Sequence, residues 1–456
     1  METQLLRATL DDLNRDLLER DVPVRLMLLA ALAGEHVLLV GPPGTAKSEL
    51  ARRLHGAFVD APYFERLLTR FSVPEELFGP LSLKALEQDR YERLIDGFLP
   101  TAQVAFLDEV FKANSAILNA LLTLLNEREF DNGAGRIRVP LVTVVGATNE
   151  VPADESLLAF YDRFLLRVPV EPVGDASFGA LLALPARAAP APPRLRAGAL
   201  EPLRQGADRV LLPAGIAALL VQARAWCAGA SVTVSDRRWR KLVALLKVQA
   251  ASRGASEIGL WDLWLLPYAL ATQPAQVAAL TGWFDDVVVQ ARALDLQWIG
   301  RAVRAFEKQF ETESTAQPQD DSGGAGKLAL ARAISPQGQA APDSEMLRIV
   351  SDRARRRYSR VHVDARVAQV AEMRDSALAT CDAARASERA AMAGADTHLW
   401  LPPGWRARVA AVHRSNTALA QAMLRDLEQL VQGFASLPLD PSLDAAAPAP
   451  ITVAAA

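Results

Sequence analysis

The chain has 456 residues, half of them hydrophobic, with 50 basic against 53 acidic side chains and a net charge of −3. That length leads to two or three folded units with ample apolar material for their cores. So even a balance excludes a uniformly basic nucleic-acid-binding surface, while leaving a local basic groove open.

An amphipathic helix is expected through Leu10, Leu13 and Leu17, and a second after Pro23 carrying Val24–Ala33. His36–Val40 is a short apolar run that enters Gly41-Pro42-Pro43-Gly44, the pattern of a buried strand leading into a turn. Val104–Leu107, Leu141–Val145 and Phe164–Val170 are further buried-strand candidates. Ile117, Leu118, Leu121, Leu122 and Leu125 recur between them at helical spacing. This alternation predicts an α/β module with a parallel sheet over residues 1–172. Two hairpins interrupt it: Leu81–Lys84 with Tyr91–Leu94, and a reversal at Asp131-Asn132-Gly133.

The Pro/Ala-rich stretch Leu184–Pro193 marks a linker, assigned to 173–200. A small all-α unit follows over 201–280, with Ile216, Leu219, Leu220, Trp239, Leu242, Leu245 and Leu246 as its apolar positions. Three long stripes come next. They are Val287, Ala291, Leu294, Trp298, Phe306 and Phe310; Val363, Val367, Val370, Met373, Ala377 and Cys381; and Val409, Val412, Leu419, Met423, Leu427, Leu430 and Phe434. Their spacing predicts a three-helix bundle over 281–311 and 351–435. The polar segment 312–350 is expected to be a flexible insert, 436–456 a disordered tail, and the five arginines of Arg353–Arg360 a solvated surface.

Cys227 and Cys381 lie outside any metal-ligand or CxxC spacing, which fits a reducing compartment. His36, His55, His362, His398 and His413 are scattered and read as surface or internally satisfied histidines. Leu26–Ala33 stops at Gly34-Glu35-His36, far short of the ~18 apolar residues a membrane span requires. No basic stretch followed by an apolar core opens the chain, so the cytoplasm is the expected compartment.

The chemistry concentrates in a few places. Gly41-Pro42-Pro43-Gly44-Thr45-Ala46-Lys47-Ser48 follows a strand and opens a helix, the context of a phosphate-binding loop. Gly41, Pro42, Pro43, Gly44, Thr45, Ala46, Lys47, Ser48 and Glu49 form the candidate nucleotide-binding set. Lys47 reaches the β/γ-phosphates and Ser48 ligates magnesium. Ala46 stands where a glycine usually precedes the lysine; its methyl is compatible with a backbone that stays helical there. Val104–Leu107 leads into Asp108, a metal ligand, and Glu109, which polarises the attacking water. Asn149, after the next strand, is placed to bond the γ-phosphate or that water. Arg163 reads either as an arginine supplied to a neighbouring subunit's nucleotide or as half of an ion pair with Asp162. Ser235-Asp236-Arg237-Arg238-Trp239 opens a helix with Ser235 or Asp236 as its cap. Adjacent residues project about 100° apart, so only one of the two arginines reaches a nucleotide.

On Gly41–Ser48, Thr69–Ser72, Pro74–Ser82, Leu107–Glu109, Lys112-Ala113-Asn114, Ile117-Leu118-Asn119, Asn126-Glu127-Arg128, Tyr161-Asp162-Arg163 and Ser235–Trp239, the chain resembles the MoxR family of AAA+ ATPases, and within it the RavA branch. The resemblance covers about the first 280 residues. It implies a P-loop AAA+ module with the 201–280 unit as a lid, ATP and Mg2+ as cofactors, a hexameric ring, and a von Willebrand factor A-domain partner. It assigns Asn149 as first sensor, Arg163 as arginine finger in trans, and Arg237 as second sensor with Arg238 as alternate. Leu81–Leu94 matches an insert carried near the ring axis. The branch carries a β-rich domain within its triple-helical region; 312–350 is too short and too polar for one, so no partner is carried over through it. The expected activity is ATP hydrolysis coupled to remodelling of a protein client that the sequence does not identify. A nucleotide-gated scaffold and a DNA-acting motor are the alternatives, the second disfavoured by the charge balance.

Overall fold

The strands nearest the glycine-rich loop are continuous apolar runs because both faces of the sheet they form are covered. The computed structural model describes residues 3–133, 135–152, 154–184, 194–290, 295–316, 356–443 and 447–452. They form two units: Met1–Val289 with Ala393–Arg408, and Gln290–Met392 with Val409–Ala456.

In the first unit, α1 (Thr3–Asn14) and α2 (Asp21–Ala33) precede β1 (His36–Val40), and α3 (Lys47–Gly56) leads to β2 (Tyr63–Leu67). Short helices α4 (Glu75–Phe78) and α5 (Leu83–Leu86) come before β3 (Val104–Asp108). Then follow α6 (Ser115–Glu127), β4 (Glu129–Asp131), β5 (Arg136–Arg138), β6 (Thr143–Thr148), α7 (Glu155–Tyr161), β7 (Phe164–Pro169) and α8 (Asp175–Leu182). Five strands make one parallel sheet in the order β2-β3-β6-β1-β7. Since all run the same way, the carboxyl ends of β1, β3 and β6 lie together along one edge. The helical group α9 (Leu200–Ala207), α10 (Ala214–Gly229), α11 (Asp236–Ser252), α12 (Leu266–Leu270) and α13 (Pro274–Trp283) completes the unit with the tip Ala393–Arg408.

That tip is fastened by a buried polar network. Asp262, with no exposed surface, takes hydrogen bonds from Arg253 (2.7 Å), Gln249 (2.8 Å) and the Gly259 amide (2.6 Å), and faces His398 Nε2 at 3.0 Å. The Leu401 amide donates to His398 Nδ1 (3.1 Å), and Trp400 Nε1 donates to Ser252 (2.8 Å). Arg25 of α2 reaches the Leu399 carbonyl.

The second unit contains α14 (Gln297–Thr315) and most of α15 (Arg360–Thr397) and α16 (Pro403–Ala435). Their shared core includes Ile299, Val303, Phe306, Val363, Val370, Ala377, Cys381, Leu427, Leu430 and Phe434. The fold is therefore an α/β module built on a parallel sheet with an added helical region, followed by a helical C-terminal region.

Several expectations shift. Leu17 lies beyond α1, and α2 starts at Asp21 with Pro23 in its first turn, where a missing amide proton is harmless. The edge strand β2 escapes notice because only Phe64 of its five residues is buried. The strand expected at Leu141–Val145 runs from Thr143 to Thr148. Leu81–Leu94 is no regular hairpin: a single bridge joins Leu81 to Arg93, and α5 occupies the space between. The second hairpin does form, as β4 and β5. Its Gly133 has φ +75°, and a Cβ there would lie 1.4 Å from the Tyr91 carbonyl oxygen. The first long stripe is broken: Phe284–Val289 is a π-turn of the first unit, Ala291 and Leu294 lie outside the described residues, and α14 starts at Gln297. In the third stripe Leu419 is exposed and Ala420 is buried in its place. The boundary at 312 falls inside α14, which runs to Thr315; residues 317–355, the bulk of the expected insert, lie outside the described residues, as do 185–193 of the linker. The tail expected to be disordered is in part packed. Tyr358 forms a bridge to Leu439, Arg366 donates to the Ala449 carbonyl (2.7 Å), and Ile451 packs against the bundle core. Among the described residues no helix is long and apolar enough to cross a membrane.

Candidate nucleotide-binding site

β1 delivers the glycine-rich loop, β3 the acidic pair and β6 the asparagine, and these strands are sheet neighbours in the order β3-β6-β1. The register sets Val40 beside Thr148 and Leu107 beside Gly146, so Gly41 emerges beside Asn149, and Asp108 ends the neighbouring strand two residues short of that level. Pro43, Gly44, Thr45, Ala46, Lys47, Ser48, Asp108, Glu109 and Asn149 line one open cleft of about 340 Å³.

Gly41 leaves β1 with its amide on the Thr148 carbonyl (3.1 Å), and a Cβ there would meet the Val170 carbonyl oxygen at 2.1 Å. Only glycine fits so tight a crossing. Ala46 overturns the expectation of a helical backbone. It is left-handed, at φ 68° and ψ 24°, immediately before α3. An L-residue holds that conformation at about 1–2 kcal/mol.

Lys47 is buried, and its ammonium donates to the carbonyls of Gly41 (2.6 Å) and Pro42 (2.9 Å) and to Asn149 Oδ1 (3.3 Å). Desolvation pulls its pKa below the ordinary lysine value, while Asp108 and Glu109 oppose that shift. Glu109 is left-handed at φ 51° and is held at both oxygens: Oε1 accepts from Asn149 Nδ2, and Oε2 pairs with Lys112 at 3.2 Å. Asn149 thus joins the lysine to the glutamate. Ser48 and Asp108 bring a hydroxyl and a carboxylate to the same cleft, hard oxygen donors of the kind that suit magnesium shared with phosphate oxygens.

The remaining candidates lie elsewhere. Glu49 does not line the cleft and pairs with Arg53 at 2.8 Å. Arg163 is also absent from the lining. Asp162 pairs instead with Arg238 (2.9 Å) and Arg167 (3.5 Å). Among the described residues Arg163 Nε is buried without a hydrogen-bond partner, and its pKa is lowered first by desolvation and then by the nearby charge of Arg237. Arg237 is exposed and donates to Asn126 Oδ1 (2.7 Å) rather than reaching the cleft. Arg238 is consumed internally, by Asp162 and by the carbonyls of Ala269, Phe164 (2.9 Å) and Leu165 (2.6 Å), so the alternate second sensor is a buried clamp. The helix it belongs to is capped as expected, by Ser235 accepting the Arg238 amide (3.2 Å). Lys112, marked in the sequence only as part of a family motif, proves to be the ion-pair partner of Glu109, three residues before it. Arg20, which bonds the Thr45 carbonyl (3.3 Å), has no signal in the sequence.

Comparison with known proteins places this geometry. Residues 4–193 match a family described as the MoxR domain in the MoxR-vWA-beta-propeller ternary systems, and residues 216–284 match an AAA lid domain. Uncharacterized protein MJ0812 of Methanocaldococcus jannaschii is 39% identical over 273 residues, covering 59% of this chain and 72% of the relative. The chain belongs to the MoxR family of AAA+ ATPases. A second protein of that organism, MJ0079, is 41% identical over 258 residues, covering 56% of this chain and 67% of its own length. Protein MoxR of Paracoccus denitrificans is 29% identical over 157 residues, covering 32% of this chain and 44% of the relative. Membership in the family agrees with the AAA+-type sheet, the lid region and the cleft at the carboxyl edge.

Proposed function

We propose that this MoxR-family chain hydrolyses ATP at the cleft between the glycine-rich loop and the ends of β3 and β6, and uses the cycle to remodel a protein client. The observation that carries this reading is the convergence of Lys47, Ser48, Asp108, Glu109 and Asn149 on one cleft from three strand ends. The loop amides and the start of α3 face a triphosphate, and Lys47 exchanges its loop carbonyls for phosphate oxygens. Magnesium, held through Ser48 and Asp108, would neutralise charge on the phosphates. Glu109 orients the attacking water and accepts its proton, while Asn149 keeps the carboxylate and the lysine in register.

In this reading the subunits form a hexameric ring in the cytoplasm, and Arg163 completes a neighbour's site. Its partnerless Nε and the adjacent charge of Arg237 support that role, since two arginines drawn together away from their own cleft suit an anion brought by another subunit. Arg237 acts with it as second sensor. The description of the matching family supports a von Willebrand factor A-domain partner. The long helical region supports placement near the RavA branch, with the 201–280 unit serving as the lid.

The experiment is Glu109→Gln. It should bind ATP normally and lose about 10²–10⁴ in turnover; turnover within tenfold of wild type removes Glu109 from its role. Mixing Arg163→Ala with Lys47→Ala subunits should recover turnover, because some interfaces then join an intact loop to an intact finger. Assembled mixed rings with no recovery refute supply in trans.

A further inference from the structure

Arg20 lies outside the cleft, on the turn into α2, and is 6% exposed. Its Nε donates to the Thr45 carbonyl (3.3 Å), and its two terminal nitrogens to the carbonyls of Glu19 (3.1 Å) and Glu171 (2.7 Å). One guanidinium therefore ties the glycine-rich loop to the turn before α2 and to the segment after β7. A trans peptide points its C=O and N–H in opposite directions. Holding the Thr45 oxygen on the side away from the cleft turns the Ala46 N–H toward it, where phosphate oxygens would be received.

We propose that Arg20 is a positioning residue for nucleotide binding, holding the Thr45–Ala46 peptide in the orientation that a phosphate requires. The need follows from the side chain at 46. Glycine populates the left-handed region about as readily as the right-handed one, whereas alanine is biased against it by about tenfold or more. Ala46 is nevertheless left-handed at φ 68°. A charged donor on the preceding carbonyl supplies the restraint that the side chain at 46 resists. Burial lowers the Arg20 pKa, with the Glu19 carboxylate opposing, yet arginine remains charged at neutral pH and its planar fork can serve three oxygens together.

The inference rests on the ATPase reading, and the test separates the two. Michaelis constants and turnover for Mg-ATP would be measured for wild type, Arg20→Met, Ala46→Gly and the double variant, with thermal melting on each. Arg20→Met should raise KM by about tenfold or more and leave kcat within about threefold, because the restraint acts before and during the reaction alike. Adding Ala46→Gly should reverse most of that rise, read as the KM ratio between Arg20→Met and its parent within each background, which falls below about threefold once Ala46→Gly is present. Arg20→Lys keeps the charge and loses the fork, and should fall between. If Arg20→Met does not fold, the same comparison with Arg20→Lys decides: a KM rise that Ala46→Gly reverses supports the role. An equal KM rise in the Ala46 and Ala46→Gly backgrounds, or no rise at all, overturns it. A wild-type protein that neither binds nor hydrolyses ATP would instead overturn the nucleotide reading on which it stands.

Discussion

His36 opens β1, directly upstream of the glycine-rich loop, and is 2% exposed. The Val144 amide donates to its Nδ1 at 3.0 Å, so the ring proton sits on Nε2 and is donated to the Leu125 carbonyl at 3.2 Å. A second proton would have to sit on Nδ1, against an N–H already pointing at it. Burial, reinforced by the positive charges of Arg128 and Lys241, holds its pKa well below the ordinary imidazole value. The folded protein therefore keeps His36 neutral at pH values where the unfolded chain, titrating near 6.5, takes up a proton. Stability from this group is complete above that unfolded value and is lost as the pH falls below it, at up to about 1.4 kcal/mol per unit. Between pH 7.0 and 5.5 the loss amounts to about 1.3 kcal/mol. Urea denaturation of wild type and His36→Gln at both pH values isolates it, because all other titrating groups are common to the two proteins. The variant will be less stable throughout, but its pH-dependent loss should be smaller than wild type's by about 1.3 kcal/mol. Identical losses would mean that the ring is protonated in the folded state and that the assigned tautomer is wrong.

Two further perturbations test the architecture around the site. Gly41→Ala places a methyl 2.1 Å from the Val170 carbonyl oxygen, a backbone atom with no rotamer to yield. It should destabilise by about 1–3 kcal/mol and abolish ATP binding, seen as a lowered melting temperature and a flat titration. A variant that melts and binds like wild type would contradict so close an approach of loop and strand. His398→Ala removes a partner of the buried Asp262 carboxylate and leaves the Leu401 amide without its acceptor. The loss should be about 3–5 kcal/mol by denaturant unfolding. A change below about 1 kcal/mol would show that water replaces the ring and that the tip is not secured by this contact.

Most of the residues that line the candidate cleft are legible in the sequence. The loop residues, Asp108, Glu109 and Asn149 were legible because each sits at the end of an apolar run, and parallel strands bring such ends to one edge. The helical segments of the lid and bundle were equally legible from spacing, since a 3.6-residue period needs no partner to be recognised. Three things were not. β2 shows little apolar pattern because an edge strand buries little. The packing of Leu439, Ala449 and Ile451 onto the bundle rests on main-chain pairing and one arginine, neither of which leaves a compositional mark. The choice between Arg237 and Arg238 depends on which one finds Asp162 and three carbonyls within reach.

What the sequence determined by itself was the chemistry available, because residue types and their order along the chain set which groups leave each strand end. What only the tertiary structure decided was which groups are already occupied. Glu49 is bound to Arg53, Arg238 to Asp162, and Lys47 to its own loop, while Arg163 keeps a buried nitrogen with no partner among the described residues. The left-handed Ala46 and the arginine behind it belong to the same class. A dihedral angle and a contact spanning 25 residues are products of close packing, and no local pattern encodes them.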